Sequence, residues 1–264
     1  MLKKLWNWIL SLFGIDSVPD WKECKLSSNW NGGNAQERMM NILSPNMPDG
    51  VFNDRVNFMK SRGVNTVHVF TANKKDGEYA GYSPFGRNFL SYSVDKAFSD
   101  VMTKRIKKLR KKGWAVVLWL MADDSNDWAR DVASNATKAE AYVKAIKNLG
   151  WFDMASTVVV GLEMNEYWSA SQAATMTNAL RKHWKGKVGV HHTSGNAAFV
   201  GMGDILFYQI EPQKDVNNTA PVIAATKKAL SYGKPVNMFE MQRNPNRKFC
   251  EAAIAAGAYA VGNW

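Results

Sequence analysis

Cysteine is nearly absent: Cys24 and Cys250 are the only two in 264 residues. They lie far apart, show no metal-ligand spacing, and neither demand nor exclude an oxidising compartment. A closed barrel would make strands one and eight neighbours and could bring the two together, but two separate reduced, buried thiols are the favoured state. No H-x-H or H-E-x-x-H pair occurs. His191 and His192 are adjacent, and neighbours on a strand point to opposite faces, so only one of them can enter a shared site. Neither a metal nor an organic cofactor is expected. The dinucleotide fingerprint G-x-G-x-x-G is missing as well. The nearest stretch, Asn31-Gly32-Gly33-Asn34, lacks the spacing and is not followed directly by a helix, which argues against an open nucleotide-binding sheet. No linker, low-complexity tract or charge block divides the chain.

What is present is basic and aromatic. The formal net charge is +11, and 11 of the aromatic residues are Trp. Much of the charge sits in Lys104–Lys112, KRIKKLRKK, where Met102, Ile106 and Leu109 recur at helical spacing. That pattern is an amphipathic helix with a solvated basic face. Nothing aromatic or Gly-rich interleaves the charges, so no nucleic-acid partner is expected. In the first fifteen residues, MLKKLWNWILSLFGI, Leu2, Leu5, Ile9, Leu12 and Phe13 share one helical face. The stretch is too short to span a bilayer comfortably. Three readings stand open: a helix docked on the domain, an interfacial membrane helix with Lys3 and Lys4 at the headgroups, or a signal-like segment without an A-x-A-like cleavage site. Residues 1–18 are set apart as this segment. An extracellular, cell-surface or membrane-associated setting is favoured over the cytoplasm.

From residue 19 onward, short β-rich runs alternate with helical patterns. Lys25–Trp30 opens the series. Strands are expected at Thr66–Thr71, Trp114–Met121, Thr157–Leu162, Val188–His192, Ile205–Ile210, Val236–Phe239 and Ala258–Val261. Helices are expected at Asn53–Arg62, Val94–Lys112, Ala136–Leu149, Ser171–Trp184, Ala220–Tyr232 and Arg247–Ala256. Near-continuous apolar runs such as WAVVLWLM suit strands buried on both faces. Eight strand–helix steps imply a closed parallel sheet, and the length is close to the ~250 residues usual for a (β/α)8 TIM barrel. One such domain, residues 19–264, is expected as a monomer.

Chemistry in such barrels gathers at the C-terminal ends of the strands. Those ends carry Asn29-Trp30-Asn31, Thr71 and Asn73, Asp123-Asp124, Glu163 to Trp168, His191-His192, Gln209 and Glu211, Glu240 with Gln242, and Asn263-Trp264. The ring holds amides, carboxylates and aromatics. It has no thiol nucleophile, no strand-end lysine and no phosphate-binding glycine cluster.

The segment GLEMNEYW, Gly161 to Trp168, resembles the Asn-Glu motif that ends strand four in clan A glycoside hydrolases, the cellulase- and mannanase-like retaining glycosidases. The resemblance implies that Asn165 holds the sugar 2-hydroxyl and Glu166 is the general acid/base. It also implies that Glu240, in VNMFEM, is the strand-seven nucleophile and that Trp264, in GNW, floors the sugar. Tyr167 stands where many members have Pro, and FYQIEP places Gln209 and Glu211 where His or Tyr is often found. Trp30, Trp168, Tyr208, His191, Gln209 and Asn29 complete the expected carbohydrate contacts. Cleavage of a glycosidic bond needs one protonated and one ionised carboxyl about the anomeric carbon. Tyr167 and Trp168 are expected to favour neutral Glu166, with Arg243 and His191 as candidates to hold Glu240 ionised. Glu163 is expected to point inward with Asn165 from a regular strand. The competing functions are a carbohydrate-binding barrel without catalysis and a metal-dependent hydrolase on the same fold.

Overall fold

A computed structural model describes residues 41–61, 66–87, 89, 91–122, 126–192, 197–210, 215, 217–240 and 247–262. The first expected strand and the amphipathic N-terminal segment lie outside this set. Within it, the strands are β1 (Thr66–Phe70), β2 (Ala115–Trp119), β3 (Thr157–Val159), β4 (Lys187–His192), β5 (Ile205–Gln209), β6 (Val236–Glu240) and β7 (Ala260–Val261). The helices are α1 (Asp49–Ser61), α2 (Lys96–Lys111), α3 (Asn126–Ala133), α4 (Ala136–Asn148), α5 (Met164–Tyr167), α6 (Ala170–His183), α7 (Ala220–Leu230) and α8 (Arg247–Ala255). None of these helices is long and apolar enough to cross a membrane.

The seven strands pair in chain order, and every pair is parallel. The sheet is strongly curled. In a flat sheet β1 and β6 would lie about 24 Å apart, five spacings of ~4.8 Å. Instead the His68 ring on β1 meets the Phe239 ring on β6 at 4.5 Å between centroids. The β1 and β2 side chains are buried throughout, as expected for strands covered on both faces.

Alternation sorts these side chains into two cores. Phe70, Val117, Trp119, Val159, Ile205, Phe207 and Phe239 fill the inside of the barrel. Val67, Val69, Val116, Leu118, Leu206 and Met238 face the helices. Gly189 is required inside: a Cβ there would meet Phe207 at 2.6 Å and Val159 at 2.9 Å.

Local chemistry sets the helix boundaries. Asp95 caps α2 by accepting from the Phe98 N–H at 3.0 Å, one residue beyond the expected start. Met102, Ile106 and Leu109 are buried, and the exposed lysines form the solvated face anticipated from the pattern. Arg105 departs from that pattern. It is 3% exposed, because its guanidinium donates to the carbonyls of Ser44 and Met47 and to Asp49. A buried cation is tolerated when most of its donors are satisfied in this way; only Nε lacks a partner among the described residues.

Candidate active site

The C-terminal ends of all the parallel strands open on one end of the barrel. β3 leaves the ladder sooner than its apolar run predicts. The backbone first continues with Val160 donating to Gly189 O at 3.1 Å and Leu162 to Met121 O at 3.1 Å. Glu163 then takes a left-handed conformation, φ 43° and ψ 34°. Such a conformation is costly for a residue with a side chain and persists only where its surroundings fix it. Two contacts fix it here. Its N–H donates to His191 Nδ1 at 2.8 Å, and its carbonyl accepts from the Glu166 N–H at 2.9 Å. The chain turns into the one-turn helix α5, which carries Asn165 and Glu166. Glu163 therefore stands at a helix start, and the expectation of an inward-pointing strand residue is corrected.

The far side of this turn is clamped as well. Trp168 donates its N–H to Met164 O at 2.9 Å. Ser169 and Gln172 then form a reciprocal capping box at the start of α6, satisfying two otherwise open donors. The Trp168 indole lies against Gly161, where a Cβ would sit 3.1 Å from its Cη2. With only 6% of its surface exposed, Trp168 packs the turn from below. Asn165 is half-buried and Glu166 is exposed. The apolar enclosure of Glu166 expected from Tyr167 and Trp168 is thus not formed by those two rings.

Glu240 ends β6. The pairing of β5 with β6 runs Phe207 to Asn237 and Tyr208 to Met238, then slips so that Gln209 faces Glu240. The slip places one extra residue of β6 opposite β5, as a bulge at a strand end does. Gln209 is half-buried, and its Oε1 has no hydrogen-bond partner among the described residues. Asn29, Trp30, Asp123, Asp124, Glu211, Gln242, Arg243 and Trp264 lie outside those residues.

The His191 ring sits inside the barrel, edge-on to Trp119 and Phe239. Burial, then the neighbouring His192 and His68, push its pKa down to about 3. Its ring is neutral at ordinary pH, so it is not a cation that holds Glu240 ionised. It serves instead as the acceptor that pins Glu163. His68 is likewise pushed down to about 3 by burial and accepts from Trp119 Nε1 at 3.0 Å. His192 turns outward and stacks on Tyr208, centroids 5.5 Å apart. Tyr208, 1% exposed, thus belongs to the helix-facing layer, away from His191 and Gln209. Thr71 and Asn73 are also fully buried; Thr71 bonds Leu120 O and the Tyr142 hydroxyl. No three His, Cys, Asp or Glu side chains among the described residues gather as a metal site would.

By sequence, no family model matches the chain, and no curated protein does either. By structure it is similar to a family 5 glycoside hydrolase from Bacteroides vulgatus, with a TM-score of 0.62 and 16% identity over 93% of this chain and 63% of that one. It is also similar to an exo-β-1,4-mannosidase from Opitutaceae bacterium strain TAV5, with a TM-score of 0.62 and 14% identity over 91% of this chain and 54% of that one. A family 113 β-mannanase from Alicyclobacillus acidocaldarius gives a TM-score of 0.51 and 14% identity, over 92% and 86% of the two chains. The fold is that of the glycoside hydrolase barrels. The chain spans less than two thirds of the first two proteins. In the strand order expected from the sequence, β3 and β6 are the fourth and seventh strands; Glu166 lies on the turn after β3, and Glu240 is the last residue of β6.

Proposed function

We propose that this chain is a retaining glycoside hydrolase acting on a β-linked poly- or oligosaccharide. The observation that carries the proposal is the pairing of Asn165-Glu166, on a clamped turn after β3, with Glu240, at a slipped strand end on β6, within a barrel shared with glycosidases. Glu166 is the acid/base: it protonates the leaving oxygen and then takes a proton from water. Glu240 is the nucleophile and forms a glycosyl ester that this water hydrolyses. The mechanism requires the two carboxyl groups ~5–5.5 Å apart. Asn165 holds the sugar 2-hydroxyl, and Trp264, Trp30 and Asn29 line the subsites. The amide oxygen of Gln209, which has no partner among the described residues, supports a polyhydroxylated ligand, because a buried acceptor without a partner is costly and a sugar hydroxyl would satisfy it. Mannan-type glycans belong in the panel beside acidic ones, since two of the similar proteins are a β-mannanase and an exo-β-1,4-mannosidase.

The test is turnover of aryl β-glycosides and β-linked polysaccharides, with the anomer of the first product read by NMR. Glu240→Gln is expected to abolish turnover. Glu166→Gln is expected to slow substrates with poor leaving groups by roughly 10²–10⁴-fold, the scale of general acid catalysis. Activated leaving groups are expected to suffer less in the first step. An inverted product would rule out the retaining mechanism. Sugar binding without turnover across the panel would leave a carbohydrate-binding barrel.

A further inference from the structure

The loop that follows β1 leaves the same end of the barrel as Glu166 and Glu240. With the segment before α1, it borders an open cleft of about 380 Å³ lined by Asn46, Lys74, Ala80, Gly81, Arg87 and Phe89. That volume lies within the ~300–1,000 Å³ range of small-ligand sites. The lining holds two cations and no acidic side chain among the described residues. Its walls are cross-braced. Asn41 Nδ2 donates to Asp76 O at 2.8 Å and Glu78 O at 2.9 Å, and Asn73 Nδ2 donates to Asn41 Oδ1 at 2.8 Å. Ser44 donates to the carbonyl of Tyr79, which is itself left-handed at φ 69°.

Arg87 is held in place. Asn46 commits its amide donors to Ala80 O and Gly81 O, at 2.8 and 3.3 Å. Its Oδ1 is thereby turned to accept from Arg87 Nη2 at 2.7 Å. The guanidinium is otherwise exposed. An oriented fork of donors matches a planar carboxylate or a sulfate ester in two-point contact. Phe89 supplies an apolar wall, its ring braced edge-on by Trp128 at 5.0 Å, and apolar surface of this kind suits the C–H face of a sugar.

We infer that this cleft binds an acidic sugar unit, one carrying a carboxylate or a sulfate ester, and so selects an acidic glycan as the substrate. The inference rests on the hydrolase reading for the word substrate, but not for binding.

Calorimetry on the Glu240→Gln chain tests it without interference from turnover. The probes are a uronic-acid tetrasaccharide, a sulfated tetrasaccharide, a neutral mannotetraose and inorganic phosphate. At least one acidic probe is expected to bind ten times or more tighter than the neutral one, and the preferred probe identifies the anion. Arg87→Gln and Lys74→Gln are each expected to weaken it about tenfold, the scale of one charge-assisted hydrogen bond, with the thermal midpoint unchanged. Equal binding of acidic and neutral probes would overturn the inference. So would phosphate binding as tightly as the saccharides, or loss of binding on Lys107→Gln/Lys111→Gln of α2 in place of the cleft variants. Acidic binding in a chain whose wild type hydrolyses nothing would keep the cleft and discard the hydrolase. Neutral-glycan hydrolysis without acidic binding would do the reverse.

Discussion

Glu163 and His191 show how one backbone hydrogen bond can place two side chains. The left-handed Glu163 directs the chain into α5, and the neutral His191 ring holds its N–H. Substituting Leu removes the acceptor and strands a buried donor, at a cost of about 1–3 kcal/mol. Asn can keep an oxygen near the position of Nδ1. His191→Leu is therefore expected to lower kcat with little change in KM, and His191→Asn to restore much of it. Equal kcat losses in both variants, with stability intact, would show that the turn does not depend on this acceptor. The sequence singled out Asn165-Glu166 through a motif. It concealed the role of His191, because a contact between a ring on β4 and an amide after β3 leaves no trace in spacing. Arg87, Lys74 and Asn46 were hidden for the same reason: three loop segments converge without any periodicity.

At the scale of elements, most strands and helices followed from apolar runs and 3.6-residue patterns, with ends displaced by one to four residues where a cap or turn intervened. The helix α3 was not anticipated. Its buried Trp128, Ala129, Val132 and Ala133 span only two turns, too short for periodicity to stand out. The slip between β5 and β6 was also invisible, since the adjacent apolar pair Met238-Phe239 in VNMFE reads equally well as a strand buried on both faces. The start of α6 is a case where a short signal has a measurable weight. Its capping box joins the clamped turn to the helix, and Ser169→Ala is expected to cost about 1 kcal/mol in urea unfolding. Because the cap borders α5, a loss of kcat beyond that stability change would show that the turn frays from this side.

For the whole molecule, the barrel interior links stability to pH. His68 and His191 titrate at about 3 in the folded chain, against 6.5 ordinarily. Between these values the unfolded chain binds protons that the folded chain refuses. Stability therefore rises with pH across the window and is lost as pH falls from 6.5 toward 3. Each ring contributes a slope approaching ~1.4 kcal/mol per pH unit. Urea unfolding is expected to show a loss of up to about 4 kcal/mol between pH 7 and pH 5. The double variant His68→Gln/His191→Gln should flatten that dependence even if it starts from a lower stability. An unchanged slope would place the titrating groups elsewhere.

The two ends of the barrel also differ in backbone character. Where helices hand over to strands, α2 and α4 finish through glycines at positive φ, Gly113 at 85° and Gly150 at 72°. Where strands hand over to helices, the positive-φ positions include residues with side chains, Tyr79 and Glu163. The first kind of turn costs little and specifies little. The second is held by contacts reaching across to other segments. Natural variation and laboratory loop grafting should therefore meet different rules at the two ends. The glycine end should accept short insertions one turn at a time. At the other end a transplanted loop must bring its bracing partners, so that new specificities arise there as exchanged networks and seldom as single replacements.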